Sequence, residues 1–166
     1  MKRSNDKEKL SDNEIKSIVM DCVKRLQENE GSIANDISEI AITHKLADYL
    51  QDRFSTYSVD VGYNRNSEKG IQIPKYYQPD KYGIPDIVVH ERLNHNHNLL
   101  VIEIKKLDNG DLVGRENDHK KLEAFTRSLE MEGYGYQLGL FLEIPQKYWN
   151  KVGYTYFKKR LRRIMK

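Results

Sequence analysis

The chain has 166 residues, of which 28 are Lys or Arg and 25 are Asp or Glu, and its formal net charge is +3. Its mean hydropathy is −0.79, and it lacks an apolar run of the roughly 20 residues that a membrane span requires. Cys22 is the single cysteine, which excludes an internal disulfide and a thiolate metal cluster. The first ten residues lack the apolar stretch of a signal peptide, so we expect a cytoplasmic protein.

Positive charge is concentrated towards the end of the sequence. Residues 1–54 contain nine Lys or Arg and eleven Asp or Glu, so residues 55–166 contain nineteen and fourteen. No acidic residue follows Glu143, and the last nine residues read KKRLRRIMK. A basic segment of this kind suits a polyanionic partner, although the solvated end of a helix accounts for it equally well.

Two amphipathic helices are predicted in the first third of the chain, after a flexible stretch at 1–11. The first runs to about residue 28 and the second ends near Phe54, because apolar side chains recur there at helical spacing. We expect both helices and all later elements to belong to one domain that spans residues 1–166. The predicted N-caps are Ser11 or Asp12 for the first helix, and Asn35 or Asp36 for the second.

Glu39 interrupts the apolar face of the second helix. It stands one turn before Thr43 and two turns before Leu46, in the middle of a stripe that should be buried. Glutamate is rarely buried without a partner. Glu39 therefore either serves a site or is a partly exposed residue near the helix start, where the helix dipole favours a carboxylate.

The rest of the chain is predicted to be rich in strands. Together with the two helices it indicates an α/β or α+β fold, a mixed sheet flanked by helices. The predicted elements are a strand at 56–66, a mobile loop at 66–83, two strands within residues 84–106, a turn-rich loop at 107–117, a helix that begins at Asp118, a buried strand at 133–144, and a short strand followed by a basic helix at the end.

Three charged residues lie within the two apolar strands of the stretch IPDIVVHERLNHNHNLLVIEIKK. Asp86 begins the first strand, and Glu103 and Lys105 share one face of the second because strand side chains alternate. Buried charges require a partner or a metal. Two carboxylates can bind Mg²⁺, which orients and acidifies a water, and a neighbouring lysine can assist its attack on a phosphodiester. The pattern therefore predicts phosphodiester hydrolysis.

The spacing of these residues resembles a known superfamily. Pro85-Asp86, then sixteen residues, then Glu103-Ile104-Lys105 is similar to the motif of PD-(D/E)xK nucleases, the restriction-endonuclease-like proteins. The resemblance covers roughly residues 36–144. It implies a central mixed four-stranded sheet flanked by helices, and a preceding helix that adds a Glu to the metal site, a role that Glu39 matches.

The resemblance implies a Mg²⁺-dependent deoxyribonuclease, with Mn²⁺ as a substitute ion and a homodimer if both strands are cut. Asp86 and Glu103 would bind the metal, Glu39 would support it, and Lys105 would assist attack. Two alternatives remain: a nucleic-acid-binding or assembly module that does not cleave, and a structural domain in which Glu103 and Lys105 form a simple ion pair. The candidates for contacting nucleic acid are Tyr63, Arg65, Lys121, Arg160, Arg162 and Arg163.

Overall fold

Three α-helices and nine strands are the main elements of the part of the chain that the computed structural model describes. That part comprises residues 10–31, 37–63, 66–68, 71–73, 75–92, 94–107, 112–145 and 151–158. The helices are α1 (Asp12–Glu30), α2 (Glu39–Arg53) and α3 (Leu112–Thr126). The strands are β1 (Ser58–Val61), β2 (Asn66–Glu68), β3 (Ile71–Ile73), β4 (Tyr76–Gln78), β5 (Lys81–Tyr82), β6 (Ile87–His90), β7 (Asn98–Leu107), β8 (Leu138–Pro145) and β9 (Gly153–Lys158).

The N-caps of the first two helices agree only in part with the sequence. Ser11 caps α1 through a capping box, because its hydroxyl accepts the N–H of Glu14 while the Glu14 carboxylate accepts the N–H of Ser11. This prediction is confirmed. The prediction for α2 is wrong, since Ser38 is the cap and its hydroxyl accepts the N–H of Ala41. The helix therefore begins at Glu39, later than expected.

A five-stranded mixed sheet forms the centre of the fold, in the order β1-β6-β7-β8-β9. The strands β7 and β8 are parallel and are connected through α3, whereas every other neighbouring pair is antiparallel. The expected four strands are thus extended by β9, which pairs with β8 at the sheet edge. The observed class is α+β, with helices flanking a mixed sheet.

Helices cover both faces of the sheet. One face packs against α1 and α2 through a large apolar cluster that contains Leu46, Leu100, Ile102 and Ile104. The other face packs against α3 through a smaller cluster around Phe125. The prediction that Leu100, Ile102 and Ile104 share the apolar face of their strand is confirmed. Within the described residues, no helix has both the length and the apolar content to cross a membrane.

The loop predicted at 66–83 contains two short antiparallel strand pairs, β2–β3 and β4–β5. The second pair is held by contacts from distant parts of the chain. The Tyr134 hydroxyl bonds to both the N–H and the carbonyl of Tyr76, and the buried Lys75 ammonium donates to the Tyr136 hydroxyl at 2.8 Å. Such contacts leave no local sequence signal, so the prediction of a loop throughout this segment was wrong.

The loop predicted at 107–117 is also shorter than expected. Helix α3 begins at Leu112 and includes Gly114, although Leu112 and Val113 are exposed. An ion pair between Arg115 and Glu143 of β8, at 2.9 Å, ties this first part of the helix to the sheet. In contrast, the predicted first strand ends early at Val61, because Gly62 adopts a φ of +64° that turns the chain.

Replacing Leu46 by alanine should lower the free energy of unfolding by about 2–5 kcal/mol, because the removed atoms leave a cavity in the core beneath α2. Leu46 is completely buried. Ile40, on the same helix, is 71% exposed and provides the control. Ile40→Ala should change the free energy by no more than about 0.5 kcal/mol. Urea unfolding of both variants would measure the difference, and equal losses would contradict the assigned core face.

Candidate active site

Asp86 and Glu103 face each other across the junction of β6 and β7. The antiparallel register pairs Ile87 with Ile102, so the next pair outward is Asp86 with Glu103. The Asp86 carboxylate accepts the backbone N–H of Ile104 at 2.6 Å, which fixes its side chain against β7. The two carboxylates that the sequence singled out are therefore neighbours on adjacent strands.

Glu103 is buried, with only 1% of its surface exposed. Its Oε2 accepts a hydrogen bond from the Lys121 ammonium at 2.6 Å. Its Oε1 is also buried and has no hydrogen-bond partner among the described residues. A buried carboxylate oxygen without a hydrogen-bond partner is costly, and such atoms are rare in native proteins.

Lys121 lies between two acidic groups on the inner side of α3. Besides Glu103, its ammonium contacts the Asp118 carboxylate at 2.9 Å, three residues earlier on the same helix. Its aliphatic stem passes under Gly83, where an added Cβ would lie 3.1 Å from the Lys121 Cδ and 3.0 Å from a ring carbon of Tyr77. The turn after β5 therefore covers Lys121 closely.

The electrostatics of this cluster follow from burial and proximity. Burial raises the pKa of Asp86 to about 6, and the nearby Glu39 and Asp118 carboxylates act in the same direction. Burial and the Asp86 carboxylate raise the pKa of Glu103 well above its ordinary value. Burial alone would lower the pKa of Lys121, but the Glu103 and Asp118 carboxylates outweigh it and raise that pKa. Burial therefore favours the protonated forms of the two acids, while the acidic neighbours of Lys121 favour its charged form.

Lys105 lies two residues beyond Glu103 on the same strand, and the two side chains therefore project to the same face. It is partly exposed, next to Glu143 in the register with β8. Lys106 projects to the other face, where its ammonium donates to the Ile37 carbonyl at 2.8 Å. The face that carries Glu103 thus also carries one partly exposed lysine.

Glu39 is the first residue of α2 and is half-buried, at the helix start rather than in the middle of a buried stripe. Its Oε2 accepts the backbone N–H of Lys106 at 2.9 Å. Together with Asp86, it borders a cavity of about 110 Å³ whose other walls are mostly apolar. The remaining lining residues are Ile40, Thr43, Val61, Gly62, Ile84 and Pro85.

The donor set fits a divalent ion only in part. Among the described residues, no three Asp, Glu, His or Cys side chains converge closely enough to hold a metal, so Glu39, Asp86 and Glu103 do not form a ready three-ligand site. Mg²⁺, however, commonly binds through one or two carboxylates, with waters and substrate phosphates as its other ligands. Asp86 and the unpartnered Oε1 of Glu103 fit that smaller requirement.

The candidate nucleic-acid contacts are spread over the chain. Tyr63 is half-buried, with its ring centroid 4.6 Å from that of His90 and 5.2 Å from the Lys75 ammonium. Lys121 forms ion pairs with the carboxylates of Glu103 and Asp118. The others, Arg65, Arg160, Arg162 and Arg163, lie outside the described residues.

Two polar contacts were missed in the sequence. The predicted helix begins at Asp118, but Asp118 lies inside α3 and contacts Lys121. Its spacing of three residues from Lys121 was the available signal, because residues so spaced are neighbours on a helix. A separate polar cluster joins Asp60 to His90 at 2.8 Å and to Arg92, and no sequence pattern indicated it.

Comparisons with known proteins leave the chain without a family. No family profile and no curated protein matches it. A crystal structure described as that of SSO0001 matches over 87% of this chain and 67% of its own length, at 16% identity and a TM-score of 0.36. A similarity this low supports no statement about fold family or function, so the site must be judged from its own residues.

Asp86→Asn should change how stability depends on pH in the metal-free protein. The pKa of Asp86 is raised from 3.8 to about 6, so folding favours its protonated form. As pH rises from about 4 to about 6, the free energy of unfolding of the wild type should fall by about 3 kcal/mol relative to that of the variant. Above that range the difference should stay constant. Urea unfolding in EDTA would measure it.

The control is Asp48→Asn, which removes an exposed carboxylate from α2. A carboxyl titration by NMR would give the pKa of Asp86 directly. A pKa below 4, together with a stability difference that does not vary with pH, would contradict the buried position of Asp86.

Proposed function

We propose that this chain is a Mg²⁺-dependent nuclease that hydrolyses phosphodiester bonds of DNA, on a restriction-endonuclease-like core of the PD-(D/E)xK type. One observation carries the proposal. Asp86 stands opposite Glu103 on neighbouring strands, and a Glu103 oxygen is buried there without a hydrogen-bond partner. A buried carboxylate oxygen without a protein donor is unusual, and a bound cation is one arrangement that would satisfy it.

Each residue has a role that its position supports. Asp86 and Glu103 would hold the ion, and Glu39, on the far side of Asp86, adds negative charge that strengthens cation binding. When bound, Mg²⁺ would offset charge on the phosphate and acidify a water. Lys105, on the face of Glu103, would position that water and stabilise the charge that develops during attack. Mn²⁺ has similar ligand preferences and would substitute.

The distribution of positive charge along the chain supports DNA as the substrate. The segment from residue 144 onwards carries no acidic residue, and Arg160, Arg162 and Arg163 near its end would contact the phosphates of DNA. Tyr63 and Arg65 would add further contacts to DNA. Cleavage of both strands of a duplex would favour a symmetric homodimer, because one subunit then addresses each strand.

The wild type should cleave DNA in Mg²⁺ or Mn²⁺ and not in EDTA. Asp86→Asn and Lys105→Ala should each lower the cleavage rate by about a hundredfold or more, because they remove a metal ligand or a charge-stabilising group. A gel assay on a labelled oligonucleotide would measure the rates. Lys120→Ala is the matched control, since Lys120 is the exposed neighbour of Lys121 and pairs only across the helix surface with Glu116.

Circular dichroism should show that all three variants remain folded. Cleavage by the wild type in EDTA, or undiminished cleavage by Asp86→Asn, would overturn the proposed metal mechanism.

A second candidate is a DNA-binding or assembly module that does not cleave. It is favoured by the ion pairs of Lys121, which compensate the charges of Glu103 and Asp118 without any metal. In this case the buried acids would hold α3 against the sheet, and nucleic acid would bind through the basic end alone. A wild type that binds DNA but does not cleave it in Mg²⁺ or Mn²⁺ would identify this function.

DNA binding should weaken with salt for either function, because bound phosphates release their counterions. Arg162→Ala combined with Arg163→Ala should reduce the slope of log affinity against log salt by about 1–2. Fluorescence anisotropy at several salt concentrations would measure it. The control combines Lys24→Ala with Lys45→Ala, which removes two exposed cations from the helical face. An equal effect of both pairs would contradict a specific role for the basic end.

A further inference from the structure

Exposed apolar side chains are concentrated in one region of the described chain. Among the described residues, nine large apolar side chains are exposed, and five of them lie close to one another in this region. We call these five the rim surface: Ile40 of α2, Val61 of β1, Tyr76 and Tyr82 of the β4–β5 pair, and Ile84. Apolar residues scattered singly over a surface are ordinary, whereas a continuous exposed patch marks a site of binding.

Three members of the rim surface enclose one cavity beside the acids. Ile40, Val61 and Ile84 line a cavity of about 110 Å³, and Glu39 and Asp86 form its acidic wall. One water needs roughly 10–15 Å³ of such space, so the cavity has room for the edge of a planar ring. The rim surface therefore adjoins the carboxylate that the proposed metal site uses.

The two tyrosines continue this surface away from the cavity. Tyr76 and Tyr82 are opposite each other in the β4–β5 pair, with ring centroids 6.2 Å apart and an angle of 85° between the rings. They are 48% and 59% exposed. Ile84 follows Tyr82 by two residues, so their Cα atoms lie within about 7 Å of each other. The tyrosines and the cavity thus belong to one surface.

The tyrosine pair is held in place from below. The Tyr134 hydroxyl bonds to both the N–H and the carbonyl of Tyr76. At the base of the pair, the Gly83 N–H donates to the Lys75 carbonyl at 2.8 Å, and the Lys75 ammonium donates to the Tyr136 hydroxyl. Groups that are already ordered lose less freedom when a ligand binds, so the rings are suited to recognition.

The chemistry of the rim surface favours a nucleobase over an apolar protein segment. A base has a flat face that stacks on tyrosine rings, and an edge whose amino groups donate hydrogen bonds. Glu39 and Asp86 each accept one backbone N–H, and a carboxylate can accept further donors. An apolar side chain in the cavity would cover these acids without supplying a donor, which is costly.

We propose that the rim surface binds an unpaired nucleobase beside Asp86, and that the substrate is single-stranded DNA or an unpaired end of a duplex. Inside a duplex a base is stacked and paired, so its face cannot reach the tyrosines unless it leaves the stack. This inference rests on the proposed function, because the site at Asp86 would cleave the strand that is held here.

The first test removes the two rings. Fluorescence anisotropy in EDTA would measure binding of a labelled single-stranded oligonucleotide and of a duplex with the same sequence. Tyr76→Ala combined with Tyr82→Ala should weaken single-strand binding by about tenfold or more, because stacking is lost. Duplex binding should change less than about twofold, since phosphate contacts alone support it. An equal effect on both DNAs, or no effect, would overturn the inference.

The controls distinguish the rings from apolar character in general. Tyr76→Phe combined with Tyr82→Phe keeps both rings and should bind single strands as the wild type does. Leu112→Ala combined with Val113→Ala removes two exposed apolar side chains at the start of α3 and should also have no effect. A loss of binding in either control would overturn the role of stacking. Ile84→Ala should weaken single-strand binding severalfold, and unchanged binding would overturn the part that the cavity has.

A measurement on the wild type avoids any loss of folding in the variants. A single-stranded oligonucleotide that carries 5-iodouracil forms covalent bonds with neighbouring aromatic side chains under near-ultraviolet light. Mass mapping of the digested product should find the label on Tyr76 or Tyr82. A label confined to other peptides would overturn the inference.

The rim surface could instead hold a second copy of the chain. Analytical ultracentrifugation would then show a wild-type dimer that dissociates in the variant combining Tyr76→Ala and Tyr82→Ala. Such a result, together with unchanged single-strand binding, would overturn the binding of a base.

Cleavage assays separate this inference from the proposed function. The variant combining Tyr76→Ala and Tyr82→Ala should raise the KM for single-stranded DNA by about tenfold with little change in kcat, whereas Asp86→Asn should lower kcat. Metal-dependent cleavage with an unchanged KM in the tyrosine variant would keep the nuclease and overturn the rim surface. Selective loss of single-strand binding, in a protein whose wild type never cleaves DNA, would support base binding and overturn the nuclease.

Discussion

The site depends on the cost of burying the Glu103 carboxylate. Burial favours the protonated form of Glu103, and the Lys121 ammonium at 2.6 Å acts in the opposite direction by stabilising its charge. The same contact ties α3 to β7, so it connects the packing of one sheet face to the chemistry of the acids. Replacing one member alone would leave a buried charge, which costs more than the pair contributes. Stability and the proposed metal binding therefore both depend on the pair of Glu103 and Lys121.

Much of the inner site could be predicted because it follows from strand geometry. Alternation places Glu103 and Lys105 together and sends Leu100, Ile102 and Ile104 to the core, as the structure has them. The apolar runs around Asp86 and Glu103 also indicated neighbouring strands, and the register brings these acids face to face. The alternation of apolar and polar side chains along a strand can be read from neighbouring residues alone, so these predictions did not depend on distant contacts.

The remaining features depend on contacts between distant residues, which local patterns do not encode. The first turns of α3 are tied to the sheet through Glu143. The turn-like composition of that segment therefore predicted a loop where the helix has already begun. The β4–β5 pair is held by Tyr134 and by the buried Lys75. The partner of Lys121 was likewise invisible, since a lysine on a helix is usually solvated and only the packing of α3 on β7 brings Glu103 to it.

The hydrogen bonds of the site differ widely in the length of chain that they span. The partners are 18 residues apart in the bond from Ile104 to Asp86 and in the bond from Lys121 to Glu103. They are 67 residues apart in the bond from Lys106 to Glu39. Short loops close at a lower entropic cost than long ones, and contacts between near neighbours form sooner during folding. We therefore expect β6, β7 and α3 to assemble the inner acids as one early unit. The Glu39 contact would follow only when α2 docks, which makes it the last part of the site to form.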